Sequence, residues 1–199
     1  MCANNLQEQS PFYVFKHVSN FDSLIDDIIL PQTLLYAQQN GKDFQISKEE
    51  VMAFLGIQVV MGYHVLPSTR DYWSKASDLH CPIISQALTY RRYEIIKQNL
   101  HFCDNSVQPT KVRQLTDHFN QIAPNVYQYE ETVSVDEHMI KFKGNNAMKQ
   151  YVKGKPVSWG FKLWLLASAK TGYVYKMDLY TGASEKGKVA ALLKTLCSK

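Results

Sequence analysis

The chain has 199 residues, 45% apolar and 20% charged, with only 9 Gly and 7 Pro, which excludes disorder, collagen and low complexity and suits one domain or two small ones. The net charge of +4 conceals a segregation: residues 1–140 carry 10 basic and 16 acidic side chains, whereas residues 141–176 carry eight lysines and no acid. That segment predicts an anionic partner.

In chain order, the first 130 residues read mainly as helices. Phe21, Leu24, Ile25, Ile28 and Ile29 form an amphipathic run that Pro31 should stop or kink, with Leu34, Leu35 and Tyr36 in a second short stretch. Ser47 and Glu50 have the spacing of a capping box, in which hydroxyl and carboxylate each satisfy a free backbone donor at a helix start. Val51, Phe54, Leu55, Val59 and Gly62 follow as the expected buried stripe, with Pro67 beyond the end. Thr89 can cap a helix that buries Tyr93, Ile96 and Leu100 and leaves Arg91, Arg92 and Lys97 on a solvated face. Val112, Leu115, Phe119 and Ile122 mark another helix, which Pro124 should close.

After Pro124 the period changes to that of a strand. Val133 and Val135 alternate with polar neighbours, as do Ile140 and Phe142, but the apolar phase flips between the two pairs and predicts a bulge or bend near residues 137–139. Two further alternating runs, Phe161 to Ala167 and Tyr173 to Leu179, flank a Gly-containing turn and read as a hairpin. Ser184 to the end reads as a helix. The expected fold class is α+β: a helical region over 1–130, then 131–199 with strand, long basic loop, hairpin and helix.

The four cysteines (Cys2, Cys81, Cys103, Cys197) are scattered, which indicates neither a disulfide framework nor zinc. The pairs His80-Cys81 and His101-x-Cys103 lack the second knuckle of a zinc site. The start lacks the basic and apolar regions of a signal peptide, and Val51–Gly62 is too short an apolar stretch to span a bilayer. The expectation is an intracellular protein with no membrane partner.

Two features carry chemistry. Asp136 stands mid-strand, on the opposite pleat from Val133 and Val135, followed by lysines. Such a carboxylate suits a phosphate-and-metal site, or else a solvated sheet edge or a lysine partner; one acid alone does not decide, because two-metal phosphoryl chemistry needs several. The segment from Lys141 to Gly160 interleaves Lys141, Lys143, Lys149, Lys153 and Lys155 with aromatics and glycines. Ammonium groups neutralise phosphates, and Tyr or Trp can stack on bases, although Phe142 and Trp159 are expected in the core. No feature points to a small-molecule substrate.

Residues 134–144 (Ser-Val-Asp-Glu-His-Met-Ile-Lys-Phe-Lys-Gly), Lys149-Gln150-Tyr151 and residues 155–162 (Lys-Pro-Val-Ser-Trp-Gly-Phe-Lys) together resemble the piggyBac transposases and their domesticated derivatives. Phe54-Leu55-Gly56-Ile57, Asp71-Tyr72-Trp73-Ser74, Leu100-His101-Phe102 with Asp104-Asn105, and Tyr180-Thr181-Gly182 fit the same family in the same order. The resemblance implies a helical dimerisation and DNA-binding region before a ribonuclease-H-like core, in which three aspartates hold two divalent metals, Mg²⁺ in a complete core. Asp136 matches the first aspartate. The other two belong downstream of the hairpin and first helix, so the chain as given is expected to hold an incomplete core, no cofactor, and Asp136 as a vestigial catalytic and metal acid. Lys141, Lys143, Lys149, Lys153, Lys155 and Lys162 are the expected DNA contacts. Three functions follow: a catalytically inactive, DNA-binding, nuclear derivative; a non-catalytic interaction protein pairing with itself or a full-length relative; or a fragment or remnant of a complete transposase.

Overall fold

The computed structural model describes residues 9–104, 106 and 111–181, a set of helices followed by an antiparallel sheet. Two compact units result: one is Phe21–Gln114, and the described part of the other is residues 9–20 with 115–181. The helix expected from Ser184 lies outside the described residues.

Helix α1 (Pro11–Val18) starts at Ser10, whose hydroxyl accepts the Tyr13 N–H at 3.2 Å, with Pro11 in the first turn where a missing N–H costs nothing. α2 (Phe21–Ser23) leads into a π-helical segment (Leu24–Ile29) and then α3 (Leu30–Gln39). Pro31 does not stop this run. The ladder widens first, the Leu30 N–H bonding to the Ile25 carbonyl, and Pro31 falls in the opening turn of α3. Ile25 and Ile29 are fully buried by this arrangement.

α4 (Lys48–Tyr63) carries the expected capping box, with reciprocal 3.2 Å bonds between Ser47 and Glu50. It buries Val51, Phe54 and Ile57, whereas Val59 and Gly62 are exposed, Val59 at 69%. The helix is apolar all round, so its sequence defines no single stripe. A 3₁₀ turn (Thr69–Trp73) and α5 (Pro82–Ser85) lead to α6 (Tyr90–Asn99), capped by Thr89, whose hydroxyl accepts the Arg92 N–H at 3.2 Å. Tyr93 and Ile96 pack with Phe54, Ile57, Tyr72 and Ile84 in one core cluster, while Phe21, Ile25, Ile29 and Val51 form a second. Arg92 departs from the expected solvated face. Its guanidinium grips both oxygens of Glu50 at 2.6 Å, donates to the Gln45 carbonyl at 2.6 Å and lies over the Phe44 ring.

α7 (Arg113–Val126) continues two residues past Pro124, and its expected stripe is half-buried, with Ala123 its buried residue. The Asn120 amide mimics a strand, donating to the Met177 carbonyl and accepting the Met177 N–H, each at 2.8 Å. Tyr173 adds a hydroxyl bond to the Ala123 carbonyl at 2.9 Å.

The sheet comprises β1 (Val133–Lys141), β2 (Gln150–Tyr151), β3 (Trp159–Ser168) and β4 (Val174–Leu179). β3 is central: β1 lies along one side, β2 and β4 along the other, all antiparallel. β1, β3 and β4 thus form the expected meander, joined by a turn in which Gly172 takes φ +73°. β2 is an addition from within the basic loop. The bulge expected near residues 137–139 does not occur. β1 pairs without a shift from Val133↔Ser168 to Lys141↔Gly160, and the irregularity falls between Leu166 and Ala167 opposite β4. The phase only looks flipped because Glu137 occupies an inner position between Val135 and Met139, while Ile140 faces out.

Candidate nucleic-acid interface

Asp136 is exposed, on the outer face with Ser134, His138 and Ile140. Its carboxylate accepts the N–H of the next residue, Glu137, at 2.7 Å. The Phe142 N–H bonds to the Trp159 carbonyl, and the register built on that bond turns the Glu137 N–H away from β3, towards the outer edge of β1. Asp136 is therefore a solvated sheet-edge carboxylate. Two-metal chemistry asks for several acids at one point, and among the described residues no three His, Cys, Asp or Glu side chains converge. The described residues around Asp136 do not fit a pair of divalent ions.

The lysines divide into two sets. Lys162 is an exception to the expected display: it is 8% exposed on the inner face, 2.9 Å from Glu137, with its ammonium over the rings of Trp164 and Tyr180. Lys155 reaches the same carboxylate at 3.7 Å and is half-buried. Lys162 is thereby held on the inner face of the sheet, and Lys155 is partly engaged by the same carboxylate. Burying Lys162 required a counter-charge, and Glu137, diagonal to it across β1 and β3, supplies one.

Lys141, Lys143 and Lys149 instead line one open depression of about 440 Å³ with Phe142, Pro156, Val157, Ser158 and Trp159, and no acidic side chain lines it. Lys149 donates to the Gly144 carbonyl at 3.1 Å and holds its ammonium 5.2 Å from the Trp159 ring centre. Lys153 is exposed beside Gly154, whose φ of +85° turns the chain back towards β3. Trp159 is not in the core: it is 54% exposed and pairs across strands with Tyr151, 56% exposed, at 4.9 Å between rings. Phe142 is half-buried against Phe161 at 4.8 Å. The close strand approach here depends on Gly160, opposite both Lys141 and Gln150, because a Cβ at that position would strike the Ile140 carbonyl.

Asp136 and Trp159 share a sheet face but stand six positions apart along the strands, about 20 Å at strand rise. The structure gathers three of the expected lysines around Trp159 and does not gather Asp136 with them. The aromatic pair Tyr151 and Trp159 was visible in the sequence only as aromatics among lysines; their exposure depends on β2 joining β3.

The remaining pairs are structural. Cys81 and Cys103 are buried and not disulfide-bonded, and burial pushes the Cys103 thiol up. His101 stacks on Tyr36 at 3.5 Å, and burial holds its imidazole below the usual value.

Comparison with known proteins agrees with this architecture. The model of the family described as Transposase IS4 matches residues 11–199. The human PiggyBac transposable element-derived protein 3 is 31% identical over 172 residues, and human PiggyBac transposable element-derived protein 2 is 32% identical over 178 residues. Each alignment covers 84% of this chain but 29% of the relative, so the chain spans less than a third of the length of these proteins. A cryo-EM structure of a piggyBac transposase synaptic complex with hairpin DNA superposes with a TM-score of 0.71 at 20% identity, covering 96% of this chain and 44% of that one. This likeness supports the α+β fold with the first strands of a ribonuclease-H-like sheet. By family model and by relatives alike, the chain belongs to the piggyBac-type transposases of the Transposase IS4 family.

Proposed function

We propose that this transposase-derived chain binds DNA without cutting it, acting in the nucleus where its ligand is. The observation that carries this reading is the acid-free depression lined by Lys141, Lys143 and Lys149, with Lys153 exposed nearby. Point charges on flexible stems suit phosphates and supply affinity with little sequence discrimination. Lys155 and Lys162 serve the fold through Glu137 and contribute little to the contact. The absence of cleavage rests on Asp136: a single exposed carboxylate, its oxygen engaged by a neighbouring N–H, is not a clamp for two Mg²⁺ ions. Asp136 is a vestigial first acid on this reading.

A second reading is supported by the exposed apolar side chains of α4 and its end, Val59, Tyr63 and Val65. They suit pairing with a second copy or a full-length relative, in which case this chain is an interaction protein or a piece of a complete transposase. DNA binding measured across a salt series separates the two readings. Binding with a steep salt dependence supports the first, whereas a dimer that ignores DNA supports the second.

A further inference from the structure

We infer that Trp159, with Tyr151 beside it and Lys149 above it, is a stacking platform for an unpaired nucleobase. The inference rests on the nucleic-acid reading of the basic segment and narrows its ligand to a strand with at least one base out of the duplex stack.

The platform is built rather than incidental. Trp159 opens β3 and Tyr151 closes β2, so the backbone pairing of these two residues fixes both rings on one face, each more than half exposed. Indole and phenol groups of this size are normally covered, and two adjoining exposed ones form a flat apolar surface with polar edges. On the same face, Phe142 and Phe161 pack against each other. Gly160 lets β1 and β2 close on either side of β3, holding the aromatic row level.

The surrounding charge identifies the ligand. Lys141 and Lys143 line the same depression, and the Lys149 ammonium stands 5.2 Å from the indole centre. An aromatic face flanked by ammonium groups matches a base with its own phosphates: π-stacking takes any base, and the lysines follow the backbone. A duplex offers phosphates and base edges but no free base face, so it can satisfy the lysines and not the indole. Glu137 points to the opposite face of the sheet and is paired with Lys162 and Lys155.

The test compares a short oligo(dT) with a duplex for the full chain and its variants, using fluorescence anisotropy at fixed salt. Trp159→Ala should weaken oligo(dT) binding roughly 5- to 150-fold, the range for losing one base–aromatic stack, and change duplex binding less than about twofold. Trp159→Phe should keep most of the oligo(dT) affinity. Oligo(dT) should also quench the indole emission of the native chain, and that quench should vanish in Trp159→Phe. Equal losses on both ligands, an unchanged oligo(dT) affinity, or a quench that survives Trp159→Phe would overturn the platform. If Trp159→Ala does not fold, the quench in Trp159→Phe decides alone. The joint change Lys143→Gln, Lys149→Gln, Lys153→Gln tells the two readings apart. Weaker binding of both ligands, with Trp159 variants indistinguishable from native, sinks only the platform; no effect of the lysines on either ligand sinks the nucleic-acid reading itself.

Discussion

Glu137 Oε2 lies 2.9 Å from Lys162 Nζ on the inner face of the sheet, one residue from an Asp136 that faces solvent on the other. Adjacent acids on one strand thus do opposite jobs. Glu137 neutralises a buried ammonium, and Asp136 satisfies a donor at an open edge. Glu137→Gln removes a counter-charge from the buried Lys162 ammonium, so it should destabilise the chain by less than the roughly 3–5 kcal/mol of breaking a fully buried pair. The double change Glu137→Leu, Lys162→Met should be milder than Glu137→Gln alone. Urea unfolding of the three proteins checks this, and equal stability of native and Glu137→Gln would contradict it.

Gly160 is the position where β1, β2 and β3 close together. Gly160→Ala places a methyl against the Ile140 carbonyl, a backbone atom that cannot rotate away. A cost at or above the upper end of the ~1–3 kcal/mol for overpacking is expected, read as a lowered thermal midpoint. An unchanged midpoint would mean that the strands are not so closely spaced there.

Glu50 and Arg92 set an acid limit on the helical unit. The Arg92 guanidinium holds the Glu50 carboxyl below its usual value of 4.5. A depressed folded-state value means stability fully present above pH 4.5 and lost as pH falls through the lower, folded value. His101 acts in the same direction at higher pH: burial favours its neutral form, so stability falls once pH drops below 6.5 towards its depressed value. Arg92→Gln should cost about 1–3 kcal/mol at pH 7 and flatten the loss below pH 4.5 while leaving the His101 step in place. Unfolding curves from pH 7 to acid test both halves.

How much of this could be read from the sequence depends on the range of the interaction. The caps at Ser47 and Thr89 and the turn at Gly172 involve residues two to five apart, and each formed as spacing dictates. The meander followed from period-two alternation. What failed were statements about faces. α4 is apolar on every side, so only tertiary packing decides that Ile57 is inside and Val59 outside. Glu137 broke the apolar phase of β1 because its partner Lys162 lies 25 residues away. Trp159 looked like core because no local signal announced that a two-residue β2 would pair with it and leave both rings open. The lysines suffered the same ambiguity: composition counted eight charges, and contacts withdrew Lys155 and Lys162 from display.

Asp136→Asn should leave metal-dependent DNA cleavage at background, because the native chain should have none to lose. Incubating both proteins with plasmid DNA and Mg²⁺ or Mn²⁺ is sufficient. Cleavage by the native chain that disappears in the variant would show a complete metal site and reverse the assignment of Asp136.

DNA affinity as a function of salt addresses the central claim most directly. The native chain should bind any duplex with a log–log slope that becomes about 2–3 units shallower when Lys143, Lys149 and Lys153 are all changed to Gln, at about 0.9 per phosphate contact. The loss should be uniform across sequences. Arg91→Gln with Lys97→Gln, exposed positions on α6, is the comparison, with Arg92 left in place because it holds Glu50. A flattened slope in the loop variant and little change in the α6 variant is the predicted result; an unchanged slope in the loop variant, or a larger loss in the α6 variant, would contradict the assignment of the basic loop as the DNA contact.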